Sequence, residues 1–444
     1  MSRQISEILF PQAIPCLPGI RRLSVLAARL FALGWASGSE VLPPVGAWLD
    51  YEPGTVARVH FQGNPGVPYR LLRSSDLSVW TELDGVVENQ RHVVVEDPLP
   101  PAGRAFYRVR PDVAPFPPAR LDAAAAYSEQ RGGAAVLVMQ SGATIFEDSQ
   151  NGSSPETPVH IASGTKVFFA CALAAALEDG LIDGYDELVS DTITEWRNES
   201  LHPQKKQITI RHLAELSSGL SHDLDQIQGL SPAAADIYDY VVHELRVTRA
   251  PGSGFSYGPS HYYVFGVLLE RKLQAAGSEQ NPLEYLNTRL LGPIGLQYAS
   301  WAHDSSGNPH IPNGASLNAR NWARLGQFIL QGGWWDGKQV IAESQMSALR
   351  VATGPNPGHG AFLWLNTEGG YSLKPSSSAP AGSPGGFIYH GGHREMVAAM
   401  GAGPSRMYII PGRDAVIVRQ TLGDTGTFVD TEFLELLLGS DPVP

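Results

Sequence analysis

Over residues 45–110 the pattern of apolar and polar positions reads as short strands separated by turn residues, and helical runs appear further along the chain. Val56-Ala57-Arg58-Val59-His60-Phe61, Tyr69-Arg70-Leu71-Leu72-Arg73, Val93-Val94-Val95 and Phe106-Tyr107-Arg108-Val109 read as short strands. Asn64-Pro65-Gly66 turns the chain between the first two, and Trp80 and Tyr107 are the expected aromatic anchors of a small core. Residues 45–110 are thus predicted to form a small all-β sandwich. Prolines at 111, 115, 117 and 118 make residues 111–118 a stiff linker.

From 119 to 444 the pattern is that of one larger domain. A helix is expected over Leu121–Gln130, then strands at Ala135–Met139 and Thr144–Glu147 joined through Ser141-Gly142. The run Val167–Leu177 is strongly helical and stops at Asp179-Gly180. Strands at Arg406–Ile410 and Ala415–Arg419 and an apolar helix near Phe428–Leu438 close the sequence. Strands at both ends with helices between predict an α/β (α+β) domain, an antiparallel sheet flanked by helices.

Residues 1–39 read as a signal peptide. Arg21-Arg22 precede two apolar stretches, Leu23–Ala28 and Leu30–Trp35, and Ala36-Ser37-Gly38 suit a cleavage site. The expected location is periplasmic or secreted, with no membrane span once the segment is removed. An amphipathic N-terminal helix of a cytoplasmic protein is the alternative. The net charge of −12 argues against nucleic acid as a partner. The two cysteines, Cys16 and Cys171, fall in the leader and in the apolar helical run, so no disulfide is expected.

The chemistry concentrates at Ser163-Gly164-Thr165-Lys166, at the start of that helical run. Serine needs a nearby base to act as a nucleophile, and residues three apart on a helix share a face. Of the six lysines, only Lys166 has a serine three residues before it. His390 and His393 lie three apart, but no carboxylate or cysteine cluster accompanies them. They read as turn or pocket-rim residues, and no metal or organic cofactor is expected.

These landmarks resemble the serine hydrolases of the class C β-lactamase and penicillin-binding-protein type, over most of 121–444. Ser163–Lys166 matches the nucleophile motif, and Ile208–Leu213 running into Ser217–Leu220 is similar to a structural segment of the family. Pro251-Gly252-Ser253-Gly254-Phe255-Ser256-Tyr257 resembles the approach to its catalytic tyrosine, and Asn318–Gly326 a helix-and-turn block. The resemblance implies a β-lactamase-like/transpeptidase fold and a proton shuttle between Lys166 and Tyr257. A Lys166 ammonium would favour the Tyr257 phenolate. Where the family has asparagine two residues after the tyrosine this chain has Pro259, leaving Ser260 or His261 as candidates to bind substrate.

Gly401-Ala402-Gly403 looks like the family's third motif in a G-x-G form, with Gly401 and Gly403 beside the substrate. By the same resemblance, the Ser163 and Ala402 N–H groups would form the oxyanion hole. No lysine stands where β-lactamases place the one that meets a substrate carboxylate. His212 is expected to stabilise a helix start, and His222 and Asp223 to line the cleft.

The expected activity is hydrolysis of an ester, amide or peptide-like substrate through an acyl-enzyme on Ser163. A D-alanyl peptidase or β-lactamase is the alternative within enzymes. A non-catalytic wall-binding sensor or scaffold of the same fold is the alternative outside them. Ser74–Trp80 and Phe106–Val109 resemble small β-sandwich modules appended to secreted bacterial proteins, which implies a cell-wall or surface ligand for residues 45–110.

Overall fold

The computed structural model describes residues 47–52, 56–63, 67–76, 78–87, 92–97, 106–198, 204–222, 236–370, 386–423 and 427–439. The expected leader, with Cys16, lies outside the described residues, as does Asp223.

Six N-terminal strands are β1 (Ala47–Glu52), β2 (Val56–Gln62), β3 (Tyr69–Ser74), β4 (Thr81–Val87), β5 (His92–Asp97) and β6 (Phe106–Pro111). They form two antiparallel sheets, ordered β1-β2-β5 and β4-β3-β6. Val59, Phe61 and Val95 from the first sheet meet Tyr69, Leu71, Tyr107 and Val109 from the second in one core. Alternation along each strand sends one set of side chains inward. The Tyr107 hydroxyl donates to Asp97 Oδ2 at 2.7 Å, and Arg73 Nη1 lies 2.8 and 2.9 Å from the two Asp97 oxygens. That buried carboxylate therefore has its partners. Trp80, expected beside Tyr107 as an anchor, is only half-buried. Strands β1 and β4 add to the four read from the alternation.

Residues 112–117 carry no regular structure. Helix α1 (Pro118–Glu129) begins with proline at its first position, where a missing N–H loses no intrahelical bond. It is followed by β7 (Gly133–Gln140), β8 (Ala143–Ser149) and α2 (Lys166–Glu178). Helices α3 (Ser260–Ala275) and α4 (Ala319–Leu330) precede β9 (Trp364–Leu365), β10 (Val397–Met400), β11 (Arg406–Ile410), β12 (Ala415–Thr421) and α5 (Asp430–Leu438). The strands form one antiparallel sheet in the order β9-β10-β11-β12-β7-β8.

Both sheet faces are apolar, so both are covered. Ile410, Ala415 and Ile417 pack with Leu121, Phe433 and Leu437 of α1 and α5. The alternate positions Met407, Ile409, Val416 and Val418 join the larger core built on α2, α3 and α4. Helix α2 is buried from Lys166 to Ala176, so it runs through the middle of this core rather than along its surface. The nucleophile motif sits where that helix emerges near the end of β10.

Candidate active site

Ser163 lies in a turn of 3-10 helix, Ala162–Thr165, that feeds directly into α2. Thr165 Oγ1 donates to the Ala162 carbonyl at 2.7 Å and accepts from the Ala315 N–H at 3.2 Å, tying the turn to the neighbouring strand segment. Gly164 is enclosed by the Trp322 ring, which a Cβ would approach to 2.6 Å. Ala162 holds a left-handed backbone at φ 46°, a strained conformation for a residue with a Cβ. The turn leaves Ser163 partly exposed while Gly164 and the helix behind it are buried.

Lys166 Nζ donates to Ser163 Oγ at 2.8 Å and to the Pro312 carbonyl at 3.0 Å. Its Nζ lies 5.3 Å from the centre of the Tyr257 ring and 5.1 Å from that of Tyr262. With the side chain only 6% exposed, burial brings its pKa from 10.5 down to about 7. At neutral pH a large fraction of Lys166 is thus a free amine, able to accept a proton from the hydroxyl it touches.

Tyr257 hydrogen-bonds Ser163 and also Trp364, and its ring packs on the Trp364 indole at 5.4 Å between centres. Desolvation raises the Tyr257 pKa; the hydrogen bond with Ser163, the Arg406 charge and the Trp364 bond partly oppose that rise. The expectation that a lysine ammonium would hold this phenol ionised is therefore reversed. Burial disfavours the charged form of both groups, favouring a neutral amine on Lys166 and a protonated phenol on Tyr257.

Ser260 and His261 are fully buried and hydrogen-bonded within the protein. Ser260 Oγ donates to the Ser221 carbonyl at 2.5 Å, and His261 is fully buried, with Nδ1 2.9 Å from Ser218 Oγ and Nε2 2.9 Å from the Ser256 carbonyl. His222, expected to line the cleft, contacts Ser260 Oγ at 3.1 Å and the Ser256 carbonyl at 3.0 Å. Burial holds His222 at about 4 and His261 well below the usual histidine range. Together they brace the turn that carries Tyr257. Gly258 is required there, because a Cβ would strike the His222 ring.

Gly401 comes directly after β10 and presses against the serine turn. A Cβ on it would collide with the Ile161 carbonyl and sit 3.3 Å from the Gly164 nitrogen. Ala402 next to it is exposed, and Gly403 turns the chain with φ 69°. This brings the Gly401–Gly403 backbone to the Ser163 turn, where small residues permit the approach. His212 caps a short helix at Ile210–Ala214 in a reciprocal arrangement with Thr209. His390 and His393 lie near Glu435 and Glu395 at 3.6 and 3.3 Å, and no metal-binding cluster occurs among the described residues.

Three contributors escaped the sequence reading: the Pro312 carbonyl, Trp364 and Arg406. The first is a backbone group, which no residue pattern marks. Trp364 lies in Phe362-Leu363-Trp364-Leu365, an apolar run that reads simply as core.

Comparison with known proteins identifies the family and the fold. The family model described as Beta-lactamase matches residues 118–436. Protein flp of Staphylococcus aureus strain MRSA252 is 22% identical over 196 residues, 42% of this chain and 38% of that protein. Acyltransferase calJ of Penicillium decumbens is 30% identical over 164 residues, 31% of this chain and 38% of that one. The match therefore spans well under half the length of these curated relatives. Among solved structures, EstCE1, a hydrolase with promiscuous acyltransferase activity, shares the fold with a TM-score of 0.55 at 16% identity, covering 72% of this chain and 97% of its own. A penicillin binding protein from Bacillus halodurans does so with a TM-score of 0.52 at 16% identity, covering 72% and 99%. With its nucleophile motif at the head of a buried helix and its sheet-and-helix fold, the chain belongs to the beta-lactamase family of serine hydrolases.

Proposed function

We propose that the protein hydrolyses esters or small amides through an acyl-enzyme on Ser163. Neutral Lys166 takes the Ser163 proton as Oγ attacks the substrate carbonyl. The developing oxyanion meets the N–H groups of Ser163 and Ala402, and the protonated Tyr257 gives its proton to the leaving group. Water then attacks the acyl-enzyme, with the same groups acting in reverse. The observation that carries this reading is the 2.8 Å contact from Lys166 Nζ to Ser163 Oγ, made by a lysine that burial brings to about 7.

The surface of the Gly401–Gly403 turn favours substrates without a carboxylate. None of its three residues is cationic, and Arg406 just beyond it is buried against Asp430 rather than open to the cleft. Neutral esters and amides therefore rank ahead of β-lactams and D-alanyl peptides. The relatives whose names include acyltransferase activity make an alcohol or amine a second candidate acceptor in place of water. Export, and a surface ligand for the N-terminal sheets, complete the proposal.

Intact mass after incubation with a fluorophosphonate tests it, on wild type and Ser163→Ala. One adduct on wild type that disappears in the variant supports an activated Ser163, and p-nitrophenyl esters and amides of graded chain length then define the acyl group. No adduct on folded wild type overturns hydrolysis and leaves a non-catalytic binding protein.

A further inference from the structure

The turn from Gly401 to Ser405 is held from behind by two buried arginines. Arg406 Nη1 donates to the Gly401 carbonyl at 2.6 Å and to the Ser405 carbonyl at 3.1 Å. Its Nε donates to Asp430 Oδ1 at 2.6 Å, and Nη2 lies 3.3 Å from Asp430 Oδ2, at the first residue of α5. Tyr408 donates to the same Asp430 oxygen at 2.6 Å. Arg419 Nη1 donates to the Pro404 carbonyl at 2.5 Å, and the Gly401 N–H closes the turn on the Ser405 carbonyl at 2.8 Å. Arg406 and Asp430 are each 2% exposed. Two buried guanidinium groups thus hold three carbonyls of one five-residue turn.

The contact at Gly401 matters because of which peptide it grips. The Gly401 carbonyl and the Ala402 N–H belong to one planar group and point in opposite directions when the peptide is trans. There are no cis peptides among the described residues. Fixing the carbonyl on Arg406 therefore turns the Ala402 N–H away from Arg406 and α5. A charged donor on the carbonyl also polarises the amide and strengthens its N–H as a donor, as hydrogen bonds in series reinforce one another.

We infer that Arg406, fixed by Asp430, is a positioning residue that orients and polarises the Ala402 N–H for the oxyanion of the reaction. The inference rests on the acyl-enzyme reading above. Arg406 touches no substrate; it acts through the peptide it holds. A neutral substrate carbonyl gains little from a stronger donor, whereas the charged oxyanion gains much, so the effect falls on the chemical step.

The test compares Arg406→Lys, Arg406→Met and the paired variant Arg406→Met/Asp430→Leu in the full chain. Thermal unfolding of each is measured beside kcat and KM for a p-nitrophenyl ester and the fluorophosphonate inactivation rate. Removing one oxyanion donor outright costs about 10²–10³ in kcat, so loss of its support is expected to cost about tenfold or more, with KM within about twofold. Fluorophosphonate inactivation should slow in parallel, since its transition state carries the same charge. Arg406→Lys keeps the charge and should recover part of the loss. The paired variant removes both charges together and so guards against the unfolding that an orphaned buried Asp430 would cause. A folded Arg406→Met or paired variant with kcat within twofold of wild type overturns the inference, as does a loss confined to KM. Wild type that does not react with fluorophosphonate overturns the proposed function and this inference with it; reactive wild type with unaffected variants overturns this inference alone.

Discussion

Replacing Lys166 with methionine keeps an unbranched side chain in the same channel and removes the amine. At pH 7 the unfolded chain carries Lys166 as an ammonium with a pKa near 10.5, while in the fold the pKa is about 7. Taking each decade as about 1.4 kcal/mol, folding at pH 7 works against that proton by about 4 kcal/mol. The variant is relieved of this cost. It also loses the donor to Ser163 Oγ and Pro312 O, worth about 1 kcal/mol each. The net expectation is an inactive variant that is more stable than wild type by about 2 kcal/mol at pH 7.

The sign of the pH dependence follows from the depressed folded pKa. Lys166 contributes its full stability only above 10.5 and loses it progressively as pH falls towards 7. Wild type should therefore gain on Lys166→Met by about 3 kcal/mol between pH 7 and pH 9.5. Guanidinium unfolding of both proteins at the two pH values, followed by tryptophan emission, measures this difference; Trp196 and Trp322 are buried in the catalytic core and report its exposure. A wild-type-to-variant difference that stays constant with pH would refute the claim that burial strains the lysine. So would a variant less stable than wild type at pH 7.

The same lysine sets the rate profile: kcat/KM for a p-nitrophenyl ester should rise with pH through about 7 as Lys166 becomes the free amine, and a flat profile from pH 5.5 to 9 would contradict it. Gly401→Ala should cut kcat by at least about tenfold, because its Cβ collides with the Ile161 carbonyl and must displace either the serine turn or the Ala402 amide. Asp97→Asn should weaken the N-terminal sheets by about 3 kcal/mol, since Arg73 and the Tyr107 hydroxyl both bond that buried carboxylate. Esterase kinetics after Asp97→Asn should match wild type, and a shared loss of activity would show that the two regions act as one.

Side chains whose role depends on near neighbours in the chain were legible from the sequence. Ser163 and Lys166 needed only the three-residue helical spacing, and the apolar run after them announced the buried α2. The buried strands β11 and β12 were equally plain, because each is a short, mostly apolar run that carries its pattern within a few residues. What stayed hidden is assembled over long separations. Arg406 lies 24 residues from Asp430, and its polarity within a buried strand gives no hint that it holds a carbonyl. The Pro312 carbonyl and Ala402 amide are main-chain groups, so no residue type advertises them. Ser260 and His261 misled for a related reason. They follow Pro259, which stands in the family's asparagine position, whereas their partners, Ser218, Ser221 and the Ser256 carbonyl, are brought in by the fold.

Helix α2 is buried on every side from Lys166 to Ala176, and this has a consequence for how the protein would fail. A nucleophile carried on a surface element can lose its geometry in a local opening that leaves the rest of the protein intact. Here the amides of 167–176 sit among the last to be exposed, so their hydrogen exchange should follow global unfolding. Lys166, at the head of this helix, would then leave its site only as the core melts, whatever local opening the Ser163 turn before it allows.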